Sequence, residues 1–373
     1  MKKVIITINY IKNGGLEKVL IDTVNSMYQH CDITIILIYD IIDPIYYKEI
    51  SNKARIIVID KYRNQIQNKL ILSIYSRLYE KRFIQKYLYK KELKRNPSDI
   101  EIAFSEEPAL ILASQSNHLN KIAWIHTDFL DDPYFKKRHS QNSYKKIFSK
   151  FKTIVFVSKS LEEKFKKVYT LTNTKIIYNS IDFNKVNRLA QKACNLPINN
   201  NKINFIAIGR LSFEKGFDRL INSFSLLSEN ERQKCHLTIV GDGYEYSNLN
   251  KQINKLNLSE TITLAGRQSN PYILLKNSDV LLNPSRYEGF GLVILEAFAL
   301  EKPVIATKTV GANELLESGK YGIILENQDN AFDLIIPSII ENRNLINQYK
   351  SKLKKRSQEY SFENFKKEIL NLI

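Results

Sequence analysis

The sequence predicts an α/β protein built from two doubly wound domains with a cleft between them. Three observations carry this expectation. Short runs rich in Val and Ile recur along all 373 residues, each closing on a glycine or polar loop and leading into an amphipathic stretch. Such strand–loop–helix repetition builds parallel sheets covered by helices. The length suits two domains of roughly 150–200 residues, and a hydrophobic content of 43% can supply two cores. Residues 183–202 (FNKVNRLAQKACNLPINNNK) are polar and hold Pro197 and three consecutive asparagines, which reads as a linker between the halves.

In the N-terminal half, residues 1–182, strands are expected at 3–9, 32–39, 55–59, 100–104, 121–125 and 153–157. After the first, Gly14 and Gly15 precede a helix on which Leu16, Val19, Leu20 and Val24 recur at helical spacing. Residues 66–95 read as one long helical stretch. Trp124-Ile125 end a strand, so His126 is expected to face the cleft, with Asp128 either orienting it or lying on the surface. A lone histidine near an apolar strand is more often structural than functional. Glu106 and Glu107 also follow a strand, where ordinary loop acids are the plainer reading.

The C-terminal half, residues 203–353, repeats the pattern at 203–209, 236–241, 261–267, 280–285 and 303–307. The first of these strands closes on Gly209 and is followed by Arg210, then Lys215-Gly216 and a helix from Phe217. Cations just outside the carboxyl end of a strand lie where open α/β sheets bind ligands. Arginine offers a planar fork to phosphate and lysine a point charge. The fourth strand leads into Glu288-Gly289-Phe290-Gly291-Leu292, and Glu296 follows about a turn inside a helix. Glycines before a helix let backbone N–H groups approach an anion, while carboxylates accept hydrogen bonds from hydroxyls. Phosphate and sugar recognition side by side point to a nucleotide sugar; the alternative is an amphipathic helix with two surface acids. In the tail, 354–373, Ser361 suits the N-cap of a last helix and Glu363 its first turn.

GRLSFEKGFDRLI, GDGYEYSNL, the E-x7-E spacing of Glu288 and Glu296, and KPVIATKTVGANELLESG resemble, in order and spacing, the C-terminal half of family-4 retaining glycosyltransferases of the GT-B fold, the bacterial surface-polysaccharide and lipopolysaccharide type. The likeness is tight over roughly 200–330 and looser in NGGLEKVL, KIAWIHTDF, VFVSKSLEEKF and IIYNSID. Glu301 replaces a usual glycine, and Ser180 a usual glycine or proline. The resemblance implies two Rossmann-like domains, acceptor on the first and nucleotide sugar on the second, with the last helix returning to the first. Arg210, Lys215 and backbone N–H groups near Gly15 and Gly291 are then expected to stabilise the leaving diphosphate. Glu288 would hold the sugar, Glu296 the ribose and the Arg267-Gln268 loop the base. A histidine at the place of His126 contacts the donor sugar or positions the acceptor in such enzymes. Transfer with retention, the acceptor attacking from the leaving-group side, is likewise what the resemblance implies. The expected donor is a UDP-linked hexose or N-acetylhexosamine. No cofactor is expected, and no Asp-x-Asp run suits a metal-bound diphosphate.

Partners and compartment follow from charge and cysteine usage. The net charge is +17, of which residues 1–182 carry +12 (31 Lys+Arg against 19 Asp+Glu). Residues 61–95 hold 11 bases against Glu80 and Glu92, and 136–152 hold seven bases and no acid. This is either a solvated basic face or a surface for an anionic membrane leaflet. Arg82 breaks the apolar side of 66–95, which speaks against deep insertion. Nucleic acid is not expected, since no recognition motif accompanies the charge. Cys31, Cys194 and Cys235 are odd in number and lack metal-ligand spacing, which fits a reducing compartment. MKKVIITINY reads as a first strand rather than a signal peptide. The expected location is cytoplasmic, peripheral on the inner face of the membrane, with a glycan or lipid-linked acceptor. Competing readings are a soluble or protein acceptor, or a non-catalytic binder.

Overall fold

The computed structural model describes residues 1–12, 14–61, 63–131, 141–193 and 201–373. The bases expected at 136–140, together with Cys194 and Pro197, lie outside the described residues. The chain divides into two compact units, Met1–Tyr178 with Phe365–Ile373, and Asn179–Asn364.

The first unit is a seven-stranded sheet of β1 (Lys2–Ile8), β2 (Cys31–Leu37), β3 (Arg55–Val58), β4 (Ile100–Ala103), β5 (Lys121–Ile125), β6 (Thr153–Phe156) and β7 (Thr174–Ile176), in the order β3-β2-β1-β4-β5-β6-β7. All pairings are parallel, and Ile6 of β1 faces Ile35 of β2 and Ile102 of β4. Both faces of the central strands are apolar because helices cover both sides. The second unit has six parallel strands, β8 (Ile203–Ile208), β9 (Cys235–Val240), β10 (Ile262–Gly266), β11 (Val280–Asn283), β12 (Val304–Thr307) and β13 (Ile323–Leu325), ordered β10-β9-β8-β11-β12-β13. Phe205, Leu220, Phe224, Leu237, Ile239, Leu282 and Phe332 form its core. In each unit the winding reverses once, between β1 and β4 and between β8 and β11. Loops at the carboxyl ends of strands flanking such a reversal diverge and leave a crevice, the usual ligand position in open sheets.

Four features differ from or refine the sequence reading. The strands β7 and β13, three residues each, were not expected, being too short to show a period. Residues 66–95 are two helices, Lys69–Glu80 and Phe83–Arg95, broken at Arg82, whose φ is 66°. Within the expected linker, Phe183–Ala190 is a helix of the second unit, with Val186 and Ala190 buried. The Asp182 side chain accepts from the Lys185 N–H at 2.8 Å and caps it. The units part at 178/179, ahead of the expected linker at 183–202. The last helix, Phe362–Leu370, starts where Ser361 Oγ accepts from the Asn364 N–H at 3.3 Å. From Phe365 onward it belongs to the first unit, where Lys175 of β7 pairs with Glu368 at 3.0 Å. Among the described residues, no helix is long and apolar enough to cross a membrane.

Candidate active site

At the reversal of the second sheet, two loops meet. One leaves β8 through Gly209 and Arg210 to the turn Phe213–Lys215; the other leaves β11 toward the helix Leu292–Ala299. Gly216 closes the first loop with φ 66°, and a Cβ there would lie 2.3 Å from the Pro284 carbonyl oxygen of the second. Only glycine allows the backbones to pass this closely. Lys215 Nζ reaches Glu288 Oε1 at 2.6 Å. The other carboxylate oxygen accepts from Ser285 Oγ at 3.0 Å and from Asn283 Nδ2 at 3.4 Å. Burial alone would raise the Glu288 pKa, but Lys215, Ser285 and Asn283 outweigh it and hold the carboxyl below its ordinary range. Glu288 is thus a fixed, ionised acceptor.

Gly291, at φ 94°, precedes the helix Leu292–Ala299 without a side-chain cap, so the first N–H groups of the helix form its positive end. Glu296 lies within this helix, 2% exposed, and accepts from Tyr272 Oη at 3.2 Å. The side chain of Phe290 is buried and lies edge-on to Tyr360, so that residue offers a ligand its backbone alone. Arg210 is half-buried at the end of β8 and makes no ion pair among the described residues. After β10, Arg267 is exposed, and Gln268 Nε2 donates to the Ala265 carbonyl at 2.6 Å.

Sequence reasoning passed over the residues that brace this arrangement. Arg286 makes a two-pronged pair with Asp218 at 2.8 and 2.7 Å, donates to the Phe213 carbonyl at 2.8 Å and stacks over the Phe213 ring at 4.2 Å. Its own N–H donates to the Glu214 carbonyl at 2.8 Å. Arg286 therefore ties the Lys215 turn to the Glu288 loop. Its partners lie about seventy positions away, so no local signal marked it, although it stands two residues before Glu288.

The first unit carries the remaining expected residues. Gly14 and Gly15 begin the helix Gly15–Met27 after β1. Glu17, in its first turn, accepts from the Lys12 N–H at 3.1 Å. Across the reversal, Glu106 accepts from the His126 and Thr127 N–H groups at 2.8 and 2.9 Å. The His126 ring is 7% exposed, packs against Phe104 and Trp124, and has no hydrogen-bond partner on either nitrogen among the described residues. Burial pushes its pKa down to about 3, so the ring is neutral. Asp128 pairs with Lys164 at 2.5 Å and does not orient the histidine. Glu107 binds Arg82 at 2.5 Å and also the Tyr144 hydroxyl. The second unit thus brings Lys215, Glu288 and the Gly291 helix start together, with Glu296 on that helix. Gly14, Gly15 and His126 belong to the first unit.

Two Rossmann-like parallel sheets, each reversing its winding once, define a protein of the GT-B fold class. Residues 191–357 match the family model of glycosyl transferases, group 1. An uncharacterized glycosyltransferase of Methanocaldococcus jannaschii is 29% identical over 305 residues, 69% of this chain and 72% of that protein. A Campylobacter jejuni enzyme named N-acetylgalactosamine-N,N'-diacetylbacillosaminyl-diphospho-undecaprenol 4-alpha-N-acetylgalactosaminyltransferase is 26% identical over 283 residues, 73% of this chain and 75% of its own. Among solved structures, Anabaena HepE in complex with UDP-glucose has a TM-score of 0.76 at 20% identity, covering 100% of this chain and 99% of that one. The match over residues 191–357 and these relatives support a glycosyltransferase, while the solved structure shows the shared fold.

Proposed function

We propose that the protein is a retaining, metal-independent glycosyltransferase that moves a hexose or N-acetylhexosamine from a UDP-linked donor to a hydroxyl of a membrane-associated glycan. Its place would be the cytoplasmic face of the membrane, in surface polysaccharide or lipopolysaccharide assembly. The observation that carries this reading is the Lys215–Glu288 pair at the sheet reversal, a cation and a fixed hydrogen-bond acceptor side by side. The names of two relatives add weight to the acceptor class: the Campylobacter enzyme and a lipopolysaccharide core biosynthesis glycosyltransferase of Rhizobium meliloti.

In this reading Arg210, Lys215 and the first N–H groups of the Leu292–Ala299 helix oppose the charge that develops on the diphosphate as the C1–O bond to phosphate breaks. Glu288 accepts from sugar hydroxyls and Glu296 from the ribose, while the Arg267-Gln268 loop meets the base. The acceptor hydroxyl forms the new C1–O bond on the same face, and its proton passes to the departing phosphate oxygen. The first unit binds the acceptor, with neutral His126 acting through hydrogen bonding rather than charge. A donor-hydrolysis screen across purified nucleotide sugars tests the proposal, followed by NMR of the product anomer. Turnover of a UDP-sugar to an α-linked product is expected; no turnover of any nucleotide sugar, or a β-linked product, would overturn it.

A further inference from the structure

The helix Lys69–Glu80 carries one apolar arc of roughly 200°, wider than the part that enters the core. Tyr79 is buried in a core with Ile5, Ile36, Ile38 and Tyr89, and Tyr75 packs against that core. The outward side holds Leu70, Ile71, Ile74 and Leu78, exposed by 71%, 56%, 54% and 40%. At 3.6 residues per turn these four fall within an arc of about 100°. Past the kink at Arg82, Phe83 and Tyr87 are 68% and 67% exposed. Six large apolar side chains within eighteen residues form far more than the scattered exposure of an ordinary surface.

What covers this patch is indicated by its surroundings. Lys69, Arg77, Lys81, Lys86, Lys90 and Lys94 are exposed along the same two helices, and the balance over 61–95 is +9. A second copy seated on the patch would bring the same excess of positive charge against it. An anionic bilayer offers both an apolar layer for the leucine and isoleucine side chains and negative headgroups for the lysines. We infer that Leu70, Ile71, Ile74, Leu78 and Phe83 insert into the acyl boundary of an anionic membrane, with the flanking bases at headgroup level. This deepens the membrane-associated reading above, with shallow insertion at the acyl boundary in place of the deep insertion that the sequence speaks against. Arg82 does not interrupt the apolar face, because it sits at the kink and turns to Glu107.

The test uses full-length protein with vesicles of phosphatidylglycerol and phosphatidylcholine, and with phosphatidylcholine alone. The Ile74→Trp variant should show a blue-shifted emission component on anionic vesicles, quenched by brominated acyl chains. Leu70→Ser with Ile74→Ser should weaken vesicle binding by about tenfold or more, leave donor hydrolysis and circular dichroism unchanged, and leave wild-type binding partly resistant to 0.5 M salt (~4 Å screening) by comparison. Co-sedimentation without any emission shift would mean attachment by charge alone and overturn insertion. No vesicle binding, or a concentration-dependent rise in mass abolished by the serine pair, would overturn a lipid occupant. Failure of donor hydrolysis in wild type would instead overturn the transferase reading, whatever the vesicles show.

Discussion

Lys215 and Glu288 depend on each other in a way that a single substitution exposes. Burial favours a protonated Glu288, and Lys215 is the first of the groups that keep it ionised. Lys215→Ala therefore removes the cation proposed to face the diphosphate and also lets the glutamate pKa climb. We expect kcat/KM to fall by roughly 10²-fold or more with the fold retained, and the acid limb of the rate profile to move to higher pH. Wild-type kinetics in this variant would remove the clamp from the mechanism. Arg286→Ala should weaken the same step without touching substrate, since it releases the Lys215 turn from the Glu288 loop. His126 gives a second prediction, on stability. Its folded pKa lies near 3 against an ordinary 6.5, so the unfolded chain binds more protons between these values. Stability is then complete above the ordinary value and falls with pH through that interval, by up to about 1.4 kcal/mol per unit. Denaturant midpoints of wild type and His126→Phe at pH 7 and pH 4.5 check this; equal losses in both proteins would contradict a buried neutral ring.

At the scale of elements, the paired helices between β3 and β4 hinge on one residue. Arg82 adopts φ 66° and carries a side chain that reaches Glu107 in the loop after β4. A left-handed conformation costs a non-glycine residue about 1 kcal/mol, and leaving a part-buried carboxylate without its cation costs about 1–3 kcal/mol. Arg82→Ala loses the pair and keeps the strain, whereas Arg82→Gly loses the pair and relieves it. The alanine variant should be the less stable by about 1 kcal/mol in urea titration; indistinguishable midpoints would contradict the left-handed kink. Because Glu107 also binds Tyr144 and neighbours Glu106, both variants should raise the acceptor KM more than the donor KM.

Across the whole molecule, charge and chemistry divide between the halves. In the proposed mechanism Arg210, Lys215 and a helix start in the second unit meet the diphosphate charge, so activity is expected to survive EDTA. Loss of activity restored by Mg²⁺ or Mn²⁺ would contradict those cations as the neutralising groups. Residues 1–182 hold most of the excess positive charge, +12 of +17. Arg82 is committed to Glu107, so the charge contribution is best removed by changing Lys81, Lys86, Lys90 and Lys91 to Ser. That change should release the protein from anionic vesicles at low salt and leave donor hydrolysis nearly intact. Binding indifferent to lipid charge and to this variant would leave only a solvated basic face.

The sequence by itself determined what depends on neighbours along the chain. Val- and Ile-rich runs closed by a glycine or a polar loop specify buried parallel strands, and eleven of the thirteen strands among the described residues follow from them. Gly209-Arg210, Lys215-Gly216 and the Glu288–Gly291 loop were legible for the same reason: each lies in a loop that follows a strand, and its residue types state their chemistry. Tertiary structure decided what depends on distant partners. The pairing of Lys215 with Glu288, the bracing of both by Arg286 and Asp218, and the turning of Glu296 to Tyr272 join residues 24 to 73 positions apart. No local period encodes such meetings. The strands β7 and β13 needed an existing sheet edge to pair with, since three residues cannot stand alone. The helix Phe183–Ala190 looked like a linker because a polar surface helix and a loop share a composition until packing chooses a face. The apolar sides of Lys69–Glu80 were one undivided pattern in the sequence, and only the fold separated the side that enters the core from the side left exposed.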